Sequence, residues 1–181
     1  LMKGFSFTKL TVACAFLFAP LAASAQIETA TGRSAFVDKL VFELGVGAGT
    51  SHDDVRPMEL FANAGYRFIP RMYVFAHAGG MFGLGEKTGG TRAYTRTPLL
   101  GGGLGYTLCS GDGVALDVRG SAASSLGKAD WKGVAYDAGL FLRVGSCGYK
   151  FNIGLGYRHF NSRSAGIGNY NGLYATLGIG L

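Results

Sequence analysis

The sequence predicts an all-β fold: a closed, eight-stranded, antiparallel, up-and-down β-barrel that is transmembrane. Three observations lead to this prediction. Apolar and polar residues alternate with a period of two along eight segments of the chain. Glycine accounts for 31 of the 181 residues, whereas proline accounts for only 4. Charged residues make up 15% of the chain, compared with roughly 25% in an ordinary water-soluble domain.

The first 25 residues have the pattern of a secretory signal peptide. Lys3 and Lys9 give a basic start, residues 10–23 are almost entirely apolar, and residues 23–25 form an A-x-A cleavage site. We therefore predict a signal peptide at residues 1–25, a periplasmic N-terminal leader at 26–39 and the barrel at 40–181. After residue 25, no stretch reaches the roughly 18 consecutive apolar residues that a membrane helix needs.

The eight alternating segments are predicted as strands of about ten residues each. Helices are disfavoured because glycine interrupts nearly every candidate window, at about 1 kcal/mol per helical position relative to alanine. The strands are expected to start near Leu40, Met58, Met72, Pro98, Val114, Val134, Tyr149 and Gly172.

Glycine decides which face of these strands points inward. A soluble barrel with an apolar interior would show the same alternation, but most strand glycines lie on the charged face. A solvated strand surface is weakened by glycine, whereas the narrow lumen of an eight-stranded barrel needs small residues beside long ones. The polar face is therefore predicted to line the lumen, and the apolar face to meet lipid.

The polar face predicts a lumen filled by charges of both signs. These should pair, because an unpaired buried charge costs several kcal/mol. We predict a closed, charge-paired lumen, with a narrow small-solute pore as an alternative. No metal site and no cofactor are predicted. The predicted network comprises Glu43, Glu59, Arg67, His77, Asp117, Arg119, Asp137, Arg143, Lys150 and Arg158.

The connections between the predicted strands alternate between long and short. Long loops are expected at 50–57, 85–97, 124–133 and 161–171, and transmembrane barrels place their longer loops outside. Both chain termini would then be periplasmic. Trp131 is expected as an interfacial anchor, with Phe160 and Tyr170 near the same outer rim. Candidate loop contacts for an extracellular ligand are Lys87, Arg92, Tyr94, Lys128, Trp131 and Arg163.

Two cysteines map to the opposite, periplasmic rim. Cys109 ends the fourth predicted strand and Cys147 lies in the turn after the sixth. A disulfide between them is one reading, since the compartment is oxidising. Two free thiols are the other, because the bridge would have to reach over about two spacings of ~4.8 Å between strands.

Together, the signal peptide, the eight alternating strands and the terminal strand at 173–181 resemble the small eight-stranded outer-membrane barrels of the OmpX type and of the OmpA membrane domain. The resemblance implies the outer membrane of a Gram-negative bacterium, with outer-membrane lipids, lipopolysaccharide and the barrel-assembly machinery as partners. It also implies a role in adhesion, surface structure, envelope stability or lipid modification. One departure is the last residue, Leu181, where such chains usually end in Phe or Trp.

A second resemblance concerns residues 157–162, which are similar to the last strands of outer-membrane lipid A deacylases with their H-x-S-N motif. It implies an alternative function as a lipid A acyl hydrolase, with His159 as base and Ser162 as nucleophile. The spacing departs from the motif, and no acidic residue follows Asp137. The leading prediction is a monomeric surface-binding or envelope-structural barrel. The mild formal charge of +6 is scattered and does not indicate nucleic-acid binding.

Overall fold

A computed structural model of the protein describes residues 39–51, 55–87, 91–145, 148–165 and 168–181, which form one closed β-barrel. Each strand pairs antiparallel with the next, and β8 closes the barrel against β1 from Glu43↔Gly180 to Gly49↔Tyr174. The predicted fold class is therefore confirmed. The predicted signal peptide and residues 26–38 of the predicted leader lie outside the described residues. The strands are β1 (Leu40–Gly49), β2 (Val55–Ile69), β3 (Met72–Lys87), β4 (Thr91–Gly111), β5 (Val114–Ser125), β6 (Gly133–Val144), β7 (Lys150–Ser162) and β8 (Tyr170–Gly180).

The two ends of the barrel differ in their connections. The end with the links 70–71, 112–113 and 145–149 also holds the first and last strand residues, Leu40 and Gly180, and is named the turn end. The other, the loop end, has links 50–54, 88–90, 126–132 and 163–169. At the turn end, Gly113 has a φ of 75°, which glycine adopts without the steric cost of a Cβ. Asp112 and Gly113 form the Asp-Gly pair typical of two-residue hairpins.

Side chains alternate between the outer surface and the lumen along the middle of each strand. Large apolar side chains on the outer surface, such as Leu60, Leu155 and Leu177, are about 60% exposed, whereas Glu43 and Asp117 inside are at most 1% exposed. Closure leaves no unpaired strand edge, which is what a spanning structure requires in hydrocarbon. The barrel is thus apolar outside and polar inside, the arrangement of a transmembrane barrel. In the described parts of the chain, no helix is long and apolar enough to cross a membrane.

Three strands are much longer than the predicted length of about ten residues. β2, β3 and β4 have 15, 16 and 21 residues and extend beyond the others at the loop end. The long loop predicted at 85–97 is therefore wrong, because Gly85↔Ala93 to Lys87↔Thr91 are paired in a hairpin with a three-residue link at 88–90. Beyond the apolar part of the outer surface, a strand can stay paired without an apolar face. The point at which apolar and polar residues stop alternating is therefore not the end of the strand.

Candidate functional site

The lumen is crossed by one connected network of hydrogen bonds and ion pairs. In its turn-end half, Asp117 accepts hydrogen bonds from Arg143 Nη2 at 3.0 Å, Thr107 Oγ1 at 2.8 Å and the Tyr73 hydroxyl at 2.7 Å. Arg119 donates to the Tyr73 oxygen at 2.6 Å and to Glu43. Asp117 and Glu43 are thus fully buried carboxylates whose charges are compensated by guanidinium groups.

The loop-end half of the network is built around Arg158, which is 1% exposed. Its guanidinium donates to Glu59 Oε2 at 2.7 Å and to both carboxylate oxygens of Asp137. Glu59 also accepts a hydrogen bond from the Tyr174 hydroxyl. Arg158 therefore joins residues of β2 and β6 from its own position on β7.

Asn63 and His77 connect the two halves. Asn63 Nδ2 donates to Glu43 at 3.2 Å, and its Oδ1 lies 2.8 Å from His77 Nδ1. The other ring nitrogen, His77 Nε2, lies 3.0 Å from Glu59 Oε1. Both ring nitrogens of His77 thus face oxygen acceptors, and the network runs unbroken from Arg143 to Asp137. With Tyr174 included, every one of the eight strands contributes a side chain to it.

Aromatic rings pack among these charges, which the sequence analysis had not anticipated. The Arg158 guanidinium lies 3.8 Å from the Tyr174 ring centroid, and that of Arg119 lies 4.3 Å from the Phe141 centroid. Such cation–π contacts stabilise buried guanidinium groups. The signal was available, because Tyr174 and Phe141 share the inward phase of their strands with Thr176 and Arg143.

The remaining predicted lumen residues lie near the turn end. Arg67 is half-buried, donates to Pro70 O at 3.0 Å and lies 5.4 Å from the Tyr73 centroid. Lys150, the first residue of β7, is also half-buried. Between the side chains a cavity of about 40 Å³ remains, lined by Asn63, His77 and Arg119 among others, with room for a few water molecules. Within the described residues, no group of three or more His, Cys, Asp and Glu is arranged to hold a metal.

A small apolar core fills the lumen at the loop end. Trp131 is 1% exposed and packs on Phe160, with ring centroids 4.3 Å apart. Thr97 Oγ1 donates to Trp131 O at 3.1 Å, which fixes the loop backbone against β4. This core, named the outer seal, consists of Met81, Leu99, Ala123, Trp131, Ala135, Phe160 and Tyr170.

The outer seal corrects the expected position of three aromatic residues. Trp131 was expected as an exposed interfacial anchor and loop contact, and Phe160 and Tyr170 near the outer rim; all three are instead buried inside the barrel. The reason is that the link 126–132 folds inward, where Trp131 covers the mouth of the lumen. The Tyr170 hydroxyl donates to Thr50 O at 2.9 Å, which ties β8 to the end of β1.

Two other predicted loop contacts, Lys128 and Arg163, are exposed in the links 126–132 and 163–169. Arg96 and Lys132, which are not among the predicted loop contacts, are exposed beside them. The signal that could have found them was their position directly before the apolar segments of β4 and β6. Lys87, Arg92 and Tyr94 lie in the paired hairpin of β3 and β4, not in a loop, which corrects that expectation.

The two residues of the hydrolase alternative are not brought together. His159 is half-buried in the outward phase of β7, where its Nδ1 lies 2.6 Å from Asn171 Oδ1 and its ring stacks on Tyr136. Ser162 has the inward phase of Arg158 and Phe160, and its Oγ accepts a hydrogen bond from Ser164 N at 3.3 Å. A side chain three positions away on a regular strand points to the opposite face.

The predicted cysteine pair is described at one partner only. Cys109 is exposed on β4, directly after a register shift between Thr107 and Cys109 at the turn end. Cys147 lies outside the described residues. Both readings, a disulfide and two free thiols, therefore stay open.

Comparisons with known proteins give matches among solved structures alone. No protein-family model matches the chain, and no curated protein matches it. A de novo designed transmembrane β-barrel has 17% identity and a TM-score of 0.46, covering 78% of this chain and 92% of its own. The designed barrel TMB2.3 has 14% identity and a TM-score of 0.45, covering 78% and 93%. The outer membrane protein Ail of Yersinia pestis has 15% identity and a TM-score of 0.46, covering 78% and 97%.

Proposed function

We propose that this protein is a monomeric, integral outer-membrane β-barrel of a Gram-negative bacterium, with a closed lumen and a surface-exposed binding or envelope-structural role. The observation that carries the proposal is the combination of an apolar outer surface with an interior filled by paired charges and sealed by Trp131. Under this proposal the loop end faces the outside and both termini are periplasmic. The protein works without a cofactor, and its lipid partners include lipopolysaccharide.

The outer surface supports insertion into a membrane. Outward-facing side chains along the middle of every strand are apolar, whereas polar outward-facing side chains such as Arg56, Arg96 and Asn171 lie at the loop end. Tyr136 and Tyr157 also lie near that end, as aromatic residues do at the interfaces of membrane barrels. A closed barrel of this kind, following a signal peptide, is typical of the outer membrane.

The interior supports a role in binding or structure rather than in transport. A solute would have to displace Arg158 from two carboxylates and Trp131 from its apolar core. Displacing Arg158 would leave Glu59 and Asp137 buried without their shared counter-ion, and displacing Trp131 would expose its apolar ring. Both changes cost free energy. The narrow pore is therefore the less favoured alternative. Ser162 and His159 have opposite phases on β7, which gives the lipid A hydrolase no support.

Surface exposure of the loop end can be tested by cysteine labelling in intact cells. In a background with Cys109→Ser and Cys147→Ser, Lys128→Cys places a thiol at the loop end and Asp112→Cys places one at the turn end. Both positions are exposed. We expect a bulky, membrane-impermeant maleimide to label Lys128→Cys on intact cells, and Asp112→Cys only after the outer membrane is permeabilised.

The two variants serve as controls for each other. Both proteins should fractionate with the outer membrane and migrate differently on detergent gels before and after heating. Labelling of Asp112→Cys on intact cells, with Lys128→Cys protected, would reverse the proposed orientation. Recovery of either protein in the soluble fraction would contradict the proposed location.

A further inference from the structure

Four exposed cations gather at one side of the loop end. Arg96 comes from β4, Lys128 and Lys132 from the link 126–132, and Arg163 from the link 163–169. We name these four residues the basic platform. Across the described ranges of the chain, none of the four takes part in an ion pair. With Asp130 as the neighbouring acid, the group therefore carries a net positive charge.

Backbone hydrogen bonds tie three of these residues, Arg96, Lys132 and Arg163, to their neighbours, and Lys128 lies two positions before Asp130 in the same link. Asp130 N donates to Arg96 O at 3.1 Å, and Arg96 N donates to Asp130 Oδ2 at 3.0 Å. Arg163 N donates to Lys132 O at 2.6 Å. The neighbouring acid, Asp130, thus has its carboxylate engaged by a backbone amide rather than by a platform side chain.

Ser164 and Trp131 fix the platform to the barrel. Lys132 N donates to Ser164 Oγ at 2.8 Å, and Ser164 Oγ donates to Asp130 O at 3.2 Å. Trp131, between Asp130 and Lys132 in sequence, is anchored in the outer seal. Residues 130–132 and 163–164 are therefore held in place before any ligand binds, which lowers the entropic cost of binding.

The height of the platform indicates its ligand. Arg96 pairs with Phe82, which in turn pairs with Met58, and both apolar side chains are exposed on the outer surface. Arg96 therefore lies at the upper edge of the apolar band, at the level where lipid headgroups begin. Guanidinium groups bind phosphate in a bidentate manner, and lysine ammonium groups add point charges.

We infer that the basic platform binds the phosphate groups on the saccharide headgroup of lipopolysaccharide in the surrounding outer leaflet. The inference rests on the proposed function, because it requires the loop end to lie in that leaflet. Beyond the proposed function, the inference names the residues that bind the lipid, which are the four of the basic platform. It also names the part of the lipid that they bind, which is phosphate rather than sugar or acyl chain.

The experiment uses Trp131, the only tryptophan in the sequence, as a fluorescence donor. The barrel is reconstituted in phosphatidylcholine vesicles that contain a small fraction of dansyl-labelled lipopolysaccharide, and energy transfer from Trp131 is titrated against the labelled lipid. A variant with Arg96→Gln, Lys128→Gln, Lys132→Gln and Arg163→Gln should bind at least about ten times more weakly, which corresponds to about 1.4 kcal/mol, because four cations near an anionic lipid surface are removed.

Two sets of variants sharpen the comparison. Lys39→Gln with Arg71→Gln removes exposed cations at the turn end and should leave energy transfer at the level of the unmodified protein. Asp130→Asn keeps an oxygen acceptor for Arg96 N but removes the negative charge, so it should strengthen binding. Equal transfer in the unmodified protein and the fourfold variant would overturn the inference.

Chemically altered ligands identify the source of the phosphate. Labelled lipopolysaccharide from which the phosphates have been removed should give only the transfer of the fourfold variant; full transfer would overturn the phosphate assignment. Complete displacement by inorganic phosphate at the concentration of the labelled lipid would overturn the assignment to a lipid. A heat-dependent gel shift is recorded for every sample, because its absence would show failure of the proposed function rather than of the platform.

Discussion

Arg158 shows how a single residue replaces part of a conventional core. It is 1% exposed, bonded to Glu59 and Asp137, and stacked on Tyr174. The pairing offsets a large desolvation cost, so the net gain from the intact cluster is small, whereas an incomplete cluster is strongly unfavourable. Removing one partner should therefore lower the stability of the barrel by much more than the small net contribution of the intact cluster.

We expect Arg158→Ala to lower the free energy of unfolding by about 3–5 kcal/mol, because Glu59 and Asp137 would lose their shared counter-ion in the interior. Urea titration in lipid vesicles, followed by heat-dependent gel migration, measures the change. Arg163→Ala removes an exposed arginine and should leave the urea midpoint nearly unchanged. A small effect of both substitutions would mean that the lumen is wet enough to solvate the carboxylates.

Within the strands, glycines that point into the lumen and glycines that point outward have different surroundings. A Cβ on Gly154, which points inward, would overlap the Phe141 ring and the Thr176 hydroxyl. A Cβ on Gly120, which points outward, would meet nothing closer than Asp137 O at 3.8 Å. Inward glycines therefore make space for large lumen side chains, whereas an outward glycine has no such role.

This difference predicts opposite outcomes for the same substitution. Gly154→Ala should destabilise the barrel by about 1–3 kcal/mol through overpacking. Gly120→Ala should be neutral or slightly stabilising. Alanine leaves the unfolded chain fewer backbone conformations than glycine does, so less conformational entropy is lost on folding. Urea midpoints in identical vesicles give the comparison, and a greater loss for Gly120→Ala would invert the inside–outside assignment.

The period of two was sufficient to predict the eight strands and the phase of the lumen charges. Glu43, Arg119 and Arg158 lie inside because residues of the same parity on one strand share a face. The same rule already indicated that Ser162 points away from the face of His159, and it could have located Phe160, which has the parity of Arg158. Phe160 was misread because its aromatic character was weighed above strand phase.

Other features could not be read from alternation. Trp131 lies in a link between strands, where no periodicity gives a side chain a direction, and its burial depends on the packing of Phe160 and Tyr170. The extensions of β2, β3 and β4 lie beyond the apolar band, where polar residues are compatible with a paired strand. The basic platform depends on contacts between two loops that are distant in sequence.

At the scale of the whole molecule, the network links all eight strands across the lumen. The Asn63–His77 pair connects two charge clusters through shared hydrogen bonds, and such chains of hydrogen bonds polarise one another. The outer seal then covers this network at the loop end. The barrel is thus held by backbone pairing around its circumference and by polar contacts across its interior.

Conductance in a planar lipid bilayer tests the closed, inside-out barrel most directly. Protein that shows a heat-dependent gel shift, and is therefore folded, is inserted at neutral pH under an applied voltage. Because Arg158 and Trp131 occupy the lumen, we expect no stable unitary conductance above the bilayer baseline. Reproducible single-channel steps from the unmodified protein would contradict this expectation and favour the small-solute pore.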